Sequence, residues 1–280
     1  MGRRWRKIGA GAVIGAGVAF GAFAACDGCS KLDGHIDAGE ISDTIRFMVG
    51  QMGPAEEAVT VQAERGIIET GLTPAFGEGA LCRPVDSEAW AIDYSGKRPF
   101  PALHKGIDIP APLETPILAA ASGVVVGKFL NGRSRKGIEI MLRHAPEDTG
   151  LRFWTYSQYT HLMEMSPLPI GARVAMGDEI GKTSNTGVMG RNIRRDALHF
   201  AILYSQSPDF ANDGDFVTPR QGFFMDPHAF YRAEPPYDSP AMLALPEGEK
   251  AIPVGYMLDD GTVVPEGARR IWPYTCQRTQ

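Results

Sequence analysis

Between about Leu81 and Arg232 the chain consists of short runs of alternating and β-branched residues, each broken by Gly or Pro. That texture constrains the fold more than any other feature, because runs bounded by turn formers make strands. It predicts an antiparallel, mainly β domain, with strands at Pro116 to Ala121, Gly123 to Phe129, Gly137 to Arg143, Leu151 to Tyr159 and Leu198 to Tyr204. Residues 26–80 read differently: they are polar, and Ile41, Ile45, Met48 and Met52 recur at helical spacing. One or two short amphipathic helices are expected there, and no long coiled coil. Residues 233–280 are punctuated by proline, and Tyr256-Met257-Leu258 and Thr262-Val263-Val264 flank Asp259-Asp260-Gly261 as a small hairpin. With 280 residues of which 44% are hydrophobic, the chain can build one large domain, spanning 81–232, plus these extensions. Wholesale disorder, a collagen-like rod and a multi-span membrane protein are excluded.

Residues 1–25 have the layout of an export signal. Arg3, Arg4, Arg6 and Lys7 precede an uncharged run from Ile8 to Ala25 that ends in small residues before Cys26. The run has 18 residues, just under the ~20 that a spanning helix needs. Three readings stay open: a cleaved signal, an uncleaved anchor with Gly11/Gly15 and Gly17/Gly21 as close-packing faces, and a lipoprotein. Phe23-Ala24-Ala25-Cys26 resembles a lipoprotein processing site, with Phe23 where that pattern prefers Leu. In each case the positive charges stay in the cytoplasm and the remainder is exported. The expected location is the periplasm or cell envelope, tethered to the membrane through the amino-terminal segment. The net charge is −5, and −9 once the four leading bases are set aside. A body this acidic is not expected to bind nucleic acid.

Cys26, Cys29, Cys82 and Cys276 suit an exported chain, in which disulfides persist. Four cysteines allow three pairings, and the sequence alone does not choose among them. Cys82 with Cys276 is favoured because the two flank the central region. Cys26 and Cys29 have the spacing of a metal knuckle or redox pair, but no second pair answers them.

Three of the six histidines lie in contexts suited to metal chemistry. His104 and Asp108 are four residues apart in Leu103-His104-Lys105-Gly106-Ile107-Asp108-Ile109. A straight strand would separate them by roughly 13 Å, too far for one ion, so the chain must bend, and Gly106 permits it. In Ala197-Leu198-His199-Phe200-Ala201-Ile202-Leu203-Tyr204, the residues Leu198, Phe200, Ile202 and Tyr204 share one face. His199 falls on the other face with Ala197, Ala201 and Leu203, which aims it at a groove. His161 follows a β-like run in Tyr159-Thr160-His161-Leu162 and can reach over the same groove. Each histidine alone reads equally well as a hydrogen-bonded structural residue. His144 reads that way, and neither His228 nor His35 has a partner that raises it above that. Trp90, Trp154 and Tyr156 could line a substrate groove, though aromatics at strand spacing more often belong to a core.

In their order these blocks resemble the lysostaphin and LytM-type zinc metalloendopeptidases, which cut peptide cross-links in bacterial peptidoglycan. The resemblance begins at His104-x-x-x-Asp108 and Ala111-Pro112-x-x-Thr115-Pro116-x-x-Ala119-Ala120-x-Ser122-Gly123-Val124-Val125. It continues through Tyr159-x-His161-Leu162, Gly177-Asp178-x-Ile180-Gly181, Asn185-Thr186-Gly187, Leu198-His199-Phe200 and Asp226-Pro227. It covers about residues 81–231. It implies a duplicated-hybrid-motif-like antiparallel β domain, with His104, Asp108 and His199 holding one Zn²⁺ and an open fourth position. It further implies that His161 assists as general base or oxyanion stabiliser. Peptidoglycan peptides would be the substrate.

One position departs from the family. Where the family reads His-Leu-His-Phe, this chain has Ala197, and alanine neither transfers a proton nor donates to an oxyanion. The Val188 to Asp196 stretch is also longer than usual there. Arg191, Arg194 or Arg195 could supply an oxyanion donor, or the stretch is a solvated loop. Two functional expectations follow: a zinc peptidoglycan endopeptidase, or a degenerate domain that regulates a cell-wall hydrolase without cutting. A third reading, an envelope lipoprotein with incidental histidines, predicts no bound metal.

Overall fold

A computed structural model describes residues 29–46, 56–85, 94–95, 103–131, 137–187 and 196–279. The proposed export segment, Cys26, Met48, Met52, Trp90 and the arginines 191, 194 and 195 lie outside these residues. Seven strands make the central sheet: β1 (Ile107–Pro110), β2 (Gly123–Asn131), β3 (Gly137–His144), β4 (Trp154–Leu162), β5 (Arg173–Val174), β6 (Ala197–Ser205) and β7 (Phe223–Met225). They run β7-β6-β4-β3-β2-β5 across the sheet, and β1 lies beside β7 along one edge of β6. Every pairing is antiparallel, as the alternating pattern predicts.

The expected strands differ from the observed ones at their ends. The strand beginning at Pro116 stops at Leu118, because the next backbone N–H groups turn to other partners: Ala119 donates to the Asp178 carbonyl and Ala120 to the Tyr159 hydroxyl. The strand expected from Leu151 starts at Trp154 and runs on to Leu162. Among the described residues of the amino-terminal part, helical structure is limited to single turns and the nine-residue helix Glu56–Glu64. The hairpin of the tail forms as expected, Tyr256–Leu258 pairing antiparallel with Val263–Val264.

Alternation divides the sheet into two faces. Leu198, Phe200 and Ile202 of β6, Tyr159 of β4, and Ile140 and Leu142 of β3 are fully buried on one of them. The strand pair Pro116–Leu118 and Glu179–Lys182, the turn Ala229–Tyr231, and Trp272 and Tyr274 of the tail complete that core. The other face carries His199, Ala201 and Leu203, and the sequence alone suggests a groove along it. The groove is shorter than that: Ala201 and Leu203 are buried. The amino-terminal residues and an excursion around Phe210 are tied to this sheet and to each other. Asn212 Nδ2 donates to the Val126 carbonyl at 2.8 Å, Arg143 donates to the Asp33 carbonyl, and Ile36 N–H donates to the Phe210 carbonyl. The guanidinium of Arg143 lies 3.9 Å from the Trp154 ring centroid. Trp154 and Tyr156 therefore belong to this packed region and do not line a groove.

The tail is stitched back to the front of the domain. Thr275–Arg278 pairs with Ala80–Leu81, and Cys82 and Cys276 form the expected disulfide beside that pairing.

Gly106 bends the chain before β1, but the reason a glycine is needed is closeness and not torsional freedom. A Cβ there would lie 2.2 Å from the Phe200 carbonyl oxygen and 2.9 Å from the Ala201 Cβ. The backbone before β1 thus rests directly on β6. Gly106→Ala forces the two strands apart, and overpacking of this kind costs about 1–3 kcal/mol. A urea titration is expected to show that loss; an unchanged midpoint would mean the contact yields without cost.

Candidate metal centre

Asp108 and His199 are direct partners in the register of β1 against β6. Directly opposed residues of an antiparallel pair project from the same face with their Cβ atoms about 5 Å apart. The bend at Gly106 carries the preceding segment back across that face, and two backbone contacts fix it: Leu103 N–H donates to Gln62 Oε1 at 2.7 Å, and Ser95 N–H donates to the His104 carbonyl at 2.8 Å. His104 is thereby delivered to the same point. His199 Nδ1 lies 2.9 Å from Asp108 Oδ1 and 3.0 Å from His104 Nε2, and His104 Nε2 lies 3.4 Å from Asp108 Oδ1.

These separations test whether the residues suit a metal. Ligand bonds of about 2.0–2.1 Å in a tetrahedron place neighbouring ligand atoms about 3.3 Å apart. The three observed distances bracket that value. Three lone-pair atoms brought this close in a buried site are favourable when a cation lies among them, because Asp108 would otherwise keep its charge in low dielectric. Among the described residues this is the one group of three or more His, Cys, Asp or Glu whose ligand atoms converge, all within 4.8 Å of one another. His104 is fully buried and the His199 side chain is 12% exposed, so access is from the His199 side.

His161 reaches the site by a device that the sequence does not announce. In the pairing of β3 with β4, Ile138 opposes Leu162 and Glu139 opposes Thr160, so His161 is the extra residue of a bulge. Its φ is +68°. Regular alternation would send His161 to the face opposite His199, since Thr160 already pairs with His199. The left-handed bulge turns the ring back, and its centroid lies 6.1 Å from that of His199. Its Nδ1–H donates to the Thr186 carbonyl at 2.8 Å, which leaves Nε2 as the lone-pair nitrogen of the neutral ring.

Thr186 is the functional residue least visible beforehand. Its hydroxyl donates to the Leu162 carbonyl at 2.7 Å and accepts from Ile138 N–H at 3.1 Å, so it joins the two strands at one end of the bulge while its carbonyl holds His161. Asn185-Thr186-Gly187 stands out as a block in the sequence, but nothing in it specifies a carbonyl clamp. Ala197 sits two residues before His199, buried, with its N–H donating to the Ser184 carbonyl at 3.1 Å.

The remaining histidines are structural in their contacts. His228 and Asp226 bond each other through Nδ1 and Oδ1 at 3.0 Å, and His228 stacks on Trp272. His35 lies edge-on to Phe210. His144 Nδ1–H donates to the Ser122 carbonyl at 2.7 Å, and its Nε2 accepts from the Ser157 hydroxyl at 2.7 Å. Burial pushes its pKa down to about 4, against the opposing pull of the Ser122 carbonyl.

Residues 102–210 match the family model described as Peptidase family M23. No curated protein matches the chain. Among solved structures, the catalytic domain of the antimicrobial peptidase lysostaphin from Staphylococcus simulans is 23% identical, with 42% of this chain and 76% of that one covered and a TM-score of 0.31. A variant of the catalytic domain of the prophage-encoded M23 protein EnpA from Enterococcus faecalis is also 23% identical, with 53% and 95% covered and a TM-score of 0.33. A zinc-containing peptidase from Vibrio cholerae is 17% identical, with 49% and 37% covered and a TM-score of 0.35.

The depressed pKa of His144 gives a pH dependence of defined sign. The unfolded chain, with the ordinary value near 6.5, takes up this proton before the folded one does. Stability from this source is complete above about pH 6.5 and falls as the pH drops toward about 4. The loss approaches roughly 3 kcal/mol, with about 2 kcal/mol gone by pH 5. Urea unfolding at pH 7 and pH 5 is expected to show a steeper decline for the unmutated protein than for His144→Gln. Equal slopes would show that His144 is not held neutral.

Proposed function

We propose that the chain, whose residues 102–210 match the Peptidase family M23 model, is a zinc-dependent endopeptidase that hydrolyses peptide bonds of peptidoglycan stems or cross-bridges. The observation that carries the proposal is the convergence of His104 Nε2, Asp108 Oδ1 and His199 Nδ1 at 2.9–3.4 Å. These three residues would hold the zinc ion. When bound, the ion supplies Lewis-acid polarisation of the scissile carbonyl and an acidified water.

The chain's own residues supply the rest. The Thr186 carbonyl fixes the tautomer of His161, so Nε2 carries the lone pair that would accept a proton as the water attacks. Once protonated, that nitrogen returns the proton to the leaving amine or donates to the oxyanion. The bulge holds His161 on the face of His199, so base and metal ligands approach a substrate from adjacent sides. The amino-terminal layout supports action in the cell envelope, where peptidoglycan lies, with the domain tethered to the membrane.

Ala197 favours a second reading. The position shares the face of His199 and offers no donor, and loss of one oxyanion donor typically costs about 10²–10³ in rate. A domain slowed this far could retain zinc and peptidoglycan binding while serving to activate a cell-wall hydrolase.

One experiment separates the readings. The exported part of the chain is assayed for bound zinc and for release of soluble fragments from peptidoglycan, beside His104→Ala and His161→Ala. The endopeptidase reading expects zinc in the unmutated protein and in His161→Ala but not in His104→Ala, with fragments from the unmutated protein alone. Zinc without fragments favours the regulator, and no zinc defeats both. In the same assay Ala197→His is expected to raise the rate about 10-fold or more if a missing donor limits it. An unchanged rate would show that another group already fills that role.

A further inference from the structure

Tyr274 of the tail lies well outside the matched residues 102–210. Tyr274 is fully buried. Its hydroxyl lies 2.6 Å from Thr183 Oγ1, and the Thr183 hydroxyl in turn donates to the Thr115 carbonyl at 3.0 Å. With the threonine proton so committed, the phenol must be the donor between the two. A directional chain results, from the Tyr274 hydroxyl to Thr183 to the Thr115 carbonyl, of the kind in which each bond polarises the next.

The middle member of that chain belongs to the site. Thr183 opens the segment in which the Ser184 carbonyl accepts from Ala197 N–H and the Thr186 carbonyl accepts from His161. Thr183 also bridges Leu162, the residue after His161. Tyr274 is held in turn by its neighbours: the Pro273 carbonyl accepts from Leu118 N–H at 2.9 Å, Ile271 N–H donates to the Ala120 carbonyl at 2.8 Å, and Cys276 is disulfide-bonded to Cys82.

We infer that Tyr274 is a positioning residue for the metal centre, its hydroxyl fixing Thr183 and with it the segment whose carbonyls hold His161 and hold Ala197, two residues before His199. The inference rests on the zinc-site reading above. It makes the tail a structural part of the site, approached from the face opposite the one that would meet substrate.

Tyr274→Phe keeps the ring and removes the hydroxyl. Tyr231→Phe is the control, because the Tyr231 hydroxyl is also buried and bonds a tail carbonyl, that of Ile271, at 3.1 Å, but touches neither segment of the site. Zinc affinity is measured by competition with a chromophoric chelator, and the imidazole Cε1–H resonances of His161 and His199 are recorded in metal-free protein. Removing groups that orient ligands typically costs about 10–100-fold in metal affinity. About 10-fold weaker zinc binding and displaced His161 and His199 resonances are expected for Tyr274→Phe, with neither change for Tyr231→Phe. Unaltered affinity and resonances in Tyr274→Phe, or equal effects in the two variants, would overturn the inference. An unmutated protein that binds no zinc would instead defeat the zinc-site reading, and the metal-free resonances would still decide the role of Tyr274.

Discussion

The site depends first on the register of β1 against β6. Asp108 faces His199 because those two residues are partners, and a slip of one residue would send Asp108 to the packed face and Ile107 or Ile109 to the metal side. A strand of four residues has little pairing of its own to enforce that choice. Two features at its ends do so. At one end Gly106 rests on the Phe200 carbonyl, a fit open to glycine alone. At the other, Ala111 N–H donates to the Asp196 carbonyl at 3.3 Å. Ile107 and Ile109, both fully buried, add the hydrophobic penalty for any other register. The carboxylate is therefore held by backbone geometry and apolar packing, and its position does not rely on the polar contacts it makes.

His161 is governed by the opposite strategy. Instead of regular pairing, its placement uses one residue too many, in a backbone conformation that non-glycine residues seldom adopt. Such a conformation costs on the order of 1–3 kcal/mol and persists only where its surroundings over-determine it. Thr186 supplies that determination through three hydrogen bonds, one to each strand at the end of the bulge and one to the imidazole itself. The same contacts that stabilise the bulge fix which ring nitrogen is left basic, so the backbone distortion and the chemistry share one cause.

This contrast explains what could be read from the sequence. Strand alternation made the antiparallel sheet legible, and it placed His199 on the face away from Leu198, Phe200 and Ile202. Family order brought His104, Asp108 and His199 together, and the geometry agrees. The extent of the groove was not legible, because the burial of Ala201 and Leu203 depends on tertiary packing that leaves no mark in the local sequence. The role of Gly106 was misassigned to torsional freedom, since a close approach to Phe200 leaves no trace in local sequence. The bulge was invisible for a similar reason: Thr160-His161-Leu162 reads as strand, and the extra residue exists only relative to Ile138 and Glu139 on the neighbouring strand. Tyr274 stood in a tail that sequence patterning treated as an extension.

The persistence of the converging triad bears on which functional reading is the stronger. Burying two imidazoles and a carboxylate within 3.4 Å of one another costs folding free energy that apolar residues of similar volume would not. A domain that merely docks on a partner gains nothing from that arrangement, so substitution toward apolar side chains would stabilise it at no loss. Ala197 illustrates the point, since that position of the face holds a buried methyl group while the three positions beside it hold polar side chains. The bulge at His161 repeats the argument in the backbone, because a strained conformation that presents an imidazole would relax if the imidazole served no purpose. The polar cost and the strain lie on the same face, and the proposed hydrolysis would account for both.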